Sequence, residues 1–387
     1  MDVQAILSLL PEDLLSELAI ESKVNRYSKK LQGEIIFKLL IHCILSYKDN
    51  SLRVMESAYE SVVFGLLNTD NKHKSIRYSS ISERLSNIDA NYFEKLYNSC
   101  VAIYGQEIGE SSSRVTRFDS TIVTLSSQLL KVGYLLPGDA AYTRQLKFTM
   151  GFSELPTAAR LFTEQKYTSE NVALKEVILL HQPAKSNAIR IFDRGITSRK
   201  THDKLVMEKI PFISRVNAKS KHKIYTPNEL KKPIETETLH IYSDDWVYLY
   251  SEDSRAQYPV RRVSATQKEN GEEIVFVTNL PDLPALEITE LYKRRWDIEV
   301  FFKFLKQELN FSHLINRSEN GIRVMLYATL IAAILLLVYK KKNRLAGYKI
   351  MKLRFVLELE RIITKDIVVM CDGNPNLFEK HFGKPPS

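Results

Sequence analysis

The chain is poor in cysteine, with only Cys43, Cys100 and Cys371. Odd in number and far apart, they exclude a disulfide framework and any Cys-x-x-Cys zinc site, and they fit a reducing cytoplasm. None of the eight histidines makes a zinc-type pair: His202 and His222 fall in basic loops, and His42 lies in an apolar helical pattern. The sequence has no Gly-x-x-x-x-Gly-Lys phosphate loop and no Gly-x-Ser-x-Gly elbow, which disfavours ATP use and serine hydrolysis. It shows no internal repeat or low-complexity tract. The N-terminal MDVQAILSLLPEDLL lacks a basic leader and carries acids within its apolar pattern, so it reads as a short amphipathic helix rather than a secretory signal. The one long apolar run, Val324 to Tyr339, is shorter than the roughly 20 residues a bilayer crossing requires and predicts a buried core helix.

What is present is an ordinary globular composition. With 387 residues, 44% apolar and 26% charged, the chain holds enough material for two or three domains or subdomains. Fifty-five basic residues against 46 acidic leave a formal charge of +9, which favours a polyanionic partner. Two segments concentrate the excess, Arg199 to Lys223 and Lys340 to Arg354. Each is a candidate phosphate-tracking surface, with a solvated helix end as the competing reading.

Spacings of three and four from about residue 30 to 107 predict an all-α N-terminal unit, residues 1–110. Its segments are EIIFKLLIHCILSY, SLRVMESAYESVVFGLL, SSISERLSNI and NYFEKLYNSCVAIYG, with Ser51 as a helix N-cap. Such helices can contact DNA or serve as structural filler. After the polar turn Gly109 to Ser113 the pattern becomes β-type. A first strand is expected to end at Phe118 and Asp119, LKFTMGF forms a second, NAIRIFD ends at Asp193, Ser198 to Glu208 is helical, and PFISRVN is a further strand. Both aspartates are thereby expected at the carboxyl ends of strands, where open α/β sheets bind ligands. A β-rich insertion at about 218–284 precedes a helical stretch. The helical C-terminal region, 318–387, ends in a tail, GNPNLFEKHFGKPPS, expected to be mobile.

In LYKRRWDIEVFFKFLKQEL, Tyr292, Arg295, Glu299 and Lys306 stand at i, i+3, i+7 and i+14. On one continuous helix they would fall within about 60° of each other, a polar stripe amid apolar residues. Such a stripe is either a solvated face or the wall of an active site in which a carboxylate holds a metal while cations and a phenol hold a polyanion. Phosphodiesters resist hydrolysis because their charge repels nucleophiles and the leaving alkoxide is poor, and two divalent ions held by convergent carboxylates answer both problems. Asp119, Asp193 and Glu299 are candidates for that set.

With these residues the chain resembles the DDE transposases of bacterial insertion sequences, in particular the insertion-sequence-four group with its Tyr-x2-Arg-x3-Glu-x6-Lys signature. Tyr292, Arg295, Glu299 and Lys306 match that spacing without a gap, and FDST around Asp119, IFDRG around Asp193, FISRVN and FVTNLPDL extend the likeness over about residues 30 to 340. The resemblance implies an α/β fold: a ribonuclease-H-like catalytic domain, residues 111–317, interrupted by the β-rich insertion. It implies two Mg²⁺ ions, or Mn²⁺, on Asp119, Asp193 and Glu299, with Tyr292, Arg295 and Lys306 gripping phosphates. Trp296 follows the signature arginine, where it can stack on an extruded base; a core tryptophan is the competing reading. Arg215 is a further candidate phosphate contact and Arg194 a weaker one, Ser120 and Thr121 are expected to shape the turn, and Trp246 stays unassigned.

The expected partners are double-stranded DNA, as transposon terminal inverted repeats and target, and a second copy of the chain in a homodimer joined through the C-terminal helices. No membrane partner is expected, and the location is the bacterial cytoplasm at the nucleoid. The competing functions are a metal-dependent nuclease on the same fold and a non-catalytic DNA-binding protein descended from a transposase.

Overall fold

A computed structural model describes residues 1–11, 13–68, 75–109, 113–125, 132–135, 144–181, 188–227, 230, 232–250 and 255–383. The middle of the expected polar turn at Gly109 to Ser113 lies outside the described residues. Helices α1 (Val3–Leu7), α2 (Leu14–Glu21), α3 (Gly33–Ser46), α4 (Leu52–Tyr59), α5 (Val62–Leu67), α6 (Tyr78–Asn87) and α7 (Ala90–Glu107) come first. Strands β1 (Val115–Thr124), β2 (Tyr134–Leu135), β3 (Arg144–Phe152) and β4 (Pro156–Phe162) follow, then α8 (Glu170–Leu180), β5 (Ile189–Phe192), α9 (Arg199–Met207) and β6 (Phe212–Val216). Strands β7 (His222–Pro227), β8 (Ile234–Glu235), β9 (Leu239–Leu249), β10 (Val260–Gln267) and β11 (Glu273–Thr278) lead into α10 (Ala285–Lys293) and α11 (Trp296–Glu308). Helices α12 (Glu319–Lys342), α13 (Tyr348–Met370) and α14 (Pro375–Phe382) complete the order. The chain divides into two compact units, Met1–Ile108 with Lys303–Ser387, and Gly109–Phe302.

The helical unit is built on α12. Every residue from Val324 to Tyr339 is buried, so the apolar run is the middle of a core helix, although the whole of α12, 24 residues, is long and apolar enough to cross a membrane. The Ser318 hydroxyl caps it by accepting the Gly321 N–H at 2.9 Å. It packs on α3, α6 and α7, where Arg323 pairs with Glu94 at 2.9 Å and Asn320 donates to the Leu85 carbonyl at 3.2 Å. Three expectations change here. The segment read as one helix from Ser51 is two, because the Ser61 hydroxyl accepts the Phe64 N–H at 3.2 Å and starts α5 afresh. The tail carries α14, capped by Asn374 and pinned to α13 by Glu379, which pairs with Arg361 at 2.7 Å and Lys365 at 3.1 Å. The second basic cluster is partly structural, since Lys342 pairs with Glu107 and Lys352 donates to the Glu308 carbonyl.

The other unit is a mixed α/β assembly around one sheet, with strand order β2-β3-β1-β5-β6-β11-β10-β9-β7, β4 beside β3 and β8 beside β9. β1, β5 and β6 run parallel and the remaining pairs are antiparallel. β11 pairs directly with β6, so the β-rich insertion extends the sheet instead of forming a separate layer. Period-two alternation gives each face its own core. Phe118, Phe192 and Phe212 meet Leu174, Val177 and Leu205 of α8 and α9 on one face, and Val115, Ile191 and Ile213 meet Ile288 and Tyr292 of α10 on the other. Gly151 lies opposite Phe118, and a Cβ there would come within 2.9 Å of that ring.

Two residues of the first basic cluster are interior rather than exposed. Arg199 and His202 of α9 are buried, so neither belongs to a phosphate surface or a loop. The His202 ring lies 5.7 Å from that of Phe212, and neither of its nitrogens has a hydrogen-bond partner among the described residues. Burial first, and then the charge of Arg199, push its pKa down to about 4 from 6.5. The unfolded chain therefore takes up the proton first as pH falls. The His202 contribution to stability is complete above about pH 6.5 and is lost progressively toward pH 4. From pH 7 to pH 5 the loss is expected to be about 2 kcal/mol, and the pH slope of the urea midpoint should flatten in His202→Gln. An unchanged slope would show that His202 does not supply it.

Candidate active site

Strand register brings the first polar residues together. Phe118 pairs with Phe192 in the parallel ladder, and Phe192 with Ser214, so the next residue in each strand is Asp119, Asp193 and Arg215. Alternation sets all three on the face covered by α10, in line with the apolar rows Val115, Ile191 and Ile213. The expectation that Asp119 ends its strand needs correction: β1 continues to Thr124, because its antiparallel ladder with β3 runs on to Thr124 opposite Gln145. Asp119 ends only the parallel part. Ser120 likewise sits in the strand and not in a turn, its hydroxyl 2.8 Å from both Thr149 Oγ1 and Glu170 Oε2, and Thr121 is a buried strand residue.

Each aspartate spends one oxygen on its own backbone. Asp119 Oδ1 accepts the Ser120 N–H at 2.8 Å, and Asp193 Oδ1 accepts the Gly195 N–H at 2.8 Å. Gly195 is required by this closeness, since a Cβ would lie 2.9 Å from that Asp193 oxygen and 3.0 Å from Glu170 Cβ. The other Asp119 oxygen faces Arg295 at 3.5 Å, and Arg295 pairs with Glu299 at 2.5 Å. Burial is the main cause that pushes the Asp119 carboxyl up to about 7; Ser120 and Arg295 oppose it, and the charges of Asp193 and Glu299 add to it. Asp119, Asp193 and Glu299 thus share one electrostatic environment.

The signature segment is not one helix. α10 stops at Lys293, a tight turn holds Arg294 and Arg295, and α11 begins at Trp296. The turn is closed by i+3 bonds, from the Arg295 N–H to the Tyr292 carbonyl at 2.8 Å and from the Ile298 N–H to the Arg295 carbonyl at 3.2 Å. Tyr292, Arg295 and Glu299 nevertheless stay together: the Arg295 guanidinium lies 5.9 Å from the Tyr292 ring centroid and also holds Glu299. α11 packs on β3 through Phe301, stacked on Phe152 at 4.6 Å, and Phe302 beside Phe148. Lys306 is exposed, farther along α11 on the part assigned to the helical unit.

The remaining candidates divide. Tyr292 is buried edge-on against Phe276 at 5.2 Å, and burial pushes its phenol up to about 12. Trp296 is 61% exposed, which removes the core reading for it. Arg215 pairs loosely with Glu272 at 3.7 Å. A cavity of about 350 Å³ is lined by Asp193, Arg194, Arg215, Glu272, Tyr292 and Arg295. A larger groove of about 1280 Å³ shares Arg215, Tyr292 and Arg295 and reaches Trp296, Lys268 and Lys293. The buried Nε atoms of Arg215 and Arg295 lack hydrogen-bond partners among the described residues. Trp246 is half-buried on β9.

Sequence reasoning missed Arg117, Lys147 and Glu170. Arg117, 1% exposed on β1, donates to the carbonyls of Arg294 at 2.9 Å and Ser153 at 2.7 Å and pairs with Asp297 at 2.9 Å. Buried Lys147 pairs with Glu170 at 2.8 Å, beside Ser120. Period-two alternation was the available signal: it sets Arg117 on the same face as Asp119.

Comparisons with known proteins find transposases. Residues 110–335, more than half of the chain, match the family described as "Transposase DDE domain". A Sinorhizobium fredii protein provisionally named transposase y4zB is 30% identical over 161 residues, 41% of this chain and 45% of the relative. A Synechocystis protein, provisionally named the transposase of insertion sequence element IS4SA, is 25% identical over 246 residues, 60% of this chain and 62% of the relative. A Geobacillus stearothermophilus protein, provisionally named the transposase of element IS5377, is 41% identical over 75 residues, 19% of this chain and 20% of the relative. Each match spans less than two thirds of the relative's length. With the family match running from ahead of β1 into α12, this chain belongs to the transposase DDE domain family.

Proposed function

We propose that this protein is a metal-dependent DNA transposase of an insertion sequence with a ribonuclease-H-like catalytic domain, acting through Asp119, Asp193 and Glu299. The observation that carries the reading is the shared register of Asp119 and Asp193 at the end of the parallel strands, with Glu299 tied to Asp119 through Arg295. The donor set is all carboxylate oxygen, which suits Mg²⁺, with Mn²⁺ as the alternative. As the side chains stand, no three His, Cys, Asp or Glu residues among the described ones converge to hold an ion. Arg295 bridges Asp119 and Glu299 and supplies the positive charge that a dication would bring. When bound, two such ions activate an attacking oxygen and stabilise the leaving one.

The chain's own residues supply the rest. Arg295 releases its carboxylates as it turns to DNA phosphate, which its unpartnered Nε and the adjoining polar cavity favour. Arg215 and Tyr292 line the same cavity, and Lys306 extends the phosphate contacts along α11. Trp296, exposed at the groove, stacks on an extruded base. The substrates are the element's terminal inverted repeats and a target duplex: cleavage frees a 3′-hydroxyl that attacks the second strand or the target. A homodimer joined through the C-terminal helices holds two ends, the N-terminal helices add DNA contacts, and the work is done in the cytoplasm at the nucleoid.

With DNA bearing the element's own terminal repeat, wild type is expected to nick at the repeat boundary in Mg²⁺ and not in EDTA. Glu299→Gln should lower the rate by about a thousandfold, some 4 kcal/mol of barrier, while binding the repeat within a few-fold of wild type. Cleavage that survives Glu299→Gln would remove the triad, and folded wild type that binds without cutting would indicate a non-catalytic binder.

Arg215→Ala is expected to weaken DNA binding alike for repeat and unrelated sequence. It should also reduce the slope of log affinity against log salt by about 1. Fluorescence anisotropy at several salt concentrations checks this, and an unchanged slope would exclude a phosphate contact at Arg215.

A further inference from the structure

We infer that Arg117 and Asp297 form a positioning clamp that fixes where Arg295 and Glu299 meet Asp119, an inference that rests on the site reading above. Arg117 is among the largest fully buried side chains, and its guanidinium is held from three directions: the Arg294 carbonyl, the Ser153 carbonyl and the Asp297 carboxylate. Two of these partners lie on either side of Arg295, Arg294 in the turn after α10 and Asp297 in the first turn of α11. The Arg294 carbonyl already accepts the Asp297 N–H at 3.1 Å, so the bond from Arg117 adds a second donor where the helix is interrupted.

The clamp and the site are carried by the same two elements, β1 and α11. Arg117 and Asp119 are two residues apart on the same face of β1, about 6.6 Å along the strand, and Asp297 and Glu299 are two apart on α11. Arg114, just ahead of β1, adds a third tie by pairing with Glu287 of α10. A buried guanidinium that loses its carboxylate is left uncompensated, so the turn cannot slide along β1 without a large penalty. Packing alone would be met by an apolar side chain of similar volume; three oxygen partners on two chain segments specify register.

Asp297 is the residue to change, because it is half-exposed and its removal leaves no cavity. Three readouts separate positioning from mere stability: amide exchange across residues 294–300 in metal-free protein, Mn²⁺ affinity by electron paramagnetic resonance, and kcat and KM on terminal-repeat DNA. Asp297→Ala is expected to speed exchange in that segment, weaken Mn²⁺ binding 10- to 100-fold and lower kcat by a similar factor. KM should stay within about threefold of wild type, and the urea midpoint should fall as well, because buried Arg117 is left without its carboxylate. Asp297→Asn, which keeps an acceptor oxygen, should recover part of each loss. Wild-type exchange and Mn²⁺ affinity in Asp297→Ala, alongside weakened Mn²⁺ binding in Glu299→Gln, would overturn the clamp and leave the site standing. A shift confined to the urea midpoint would overturn it equally. Mn²⁺ affinity unchanged in Glu299→Gln would remove the site reading itself, and the clamp with it.

Discussion

The pairing of Phe118 with Phe192 in the β1–β5 ladder decides most of what this sheet can do. Side chains alternate strictly along a strand, so a slip of one residue would turn Asp119 away from Asp193 to the opposite face. The apolar rows on both faces oppose such a slip. Moving β1 by one residue would drive Phe118 out of the α8 and α9 core and bring Val115 out of the α10 core. The geometry of the carboxylates is therefore enforced by hydrophobic packing several residues away. The site inherits its precision from the core.

That precision has an electrostatic cost. Asp119 is mostly buried and close to two other acids, and its raised pKa expresses how unfavourable its charged form is there. Arg295 offsets part of this by bonding Asp119 and Glu299 together, itself only 16% exposed at the side chain. The pairing is strong enough to hold the acids near each other, and every bond in it is one that a phosphate or a cation can replace. Buried ion pairs contribute little to net stability once desolvation is counted, so stability alone gives a weak reason for this cluster. A site that must exchange one charge partner for another gives a better one.

The positions of Asp119, Asp193, Tyr292, Arg295 and Glu299 were legible in the sequence because each obeys a local rule: an acid after an apolar strand run, or polar residues at helical spacing. The break at Arg294 and Arg295 was not: local i+3 bonds close the turn, and the Arg294 carbonyl also accepts from Arg117, a residue 177 positions away. The continuation of β1 past Asp119 was hidden for the same kind of reason, as it depends on pairing with β3. The two halves of α4 and α5 illustrate the converse: Ser61 carried a capping signal in plain view, and the run of helix-compatible residues around it masked the break. Burial of Arg199 and His202 went unread because a charge-rich stretch ordinarily marks a surface.

The β-rich insertion takes part in delivering Glu299. Strand β11 pairs with β6, and its Phe276 meets the Tyr292 ring, so the wall of the cavity is made partly by inserted residues. Arg261 of β10 is buried in a two-bond pair with Asp244 of β9, at 2.7 and 2.6 Å. Its remaining donor holds the carbonyls of Leu280, Pro281 and Leu283 at 3.0, 3.1 and 2.5 Å. Those carbonyls belong to the loop that starts α10. A flexible loop in the same place would close the chain at similar entropic expense, because loop closure grows only slowly with length, but it would not aim the helix. The insertion does: one buried guanidinium fixes the start of α10 and another in β1 fixes its end, so Tyr292 lies between two points that the sheet itself determines and Arg295 and Glu299 follow the second of them.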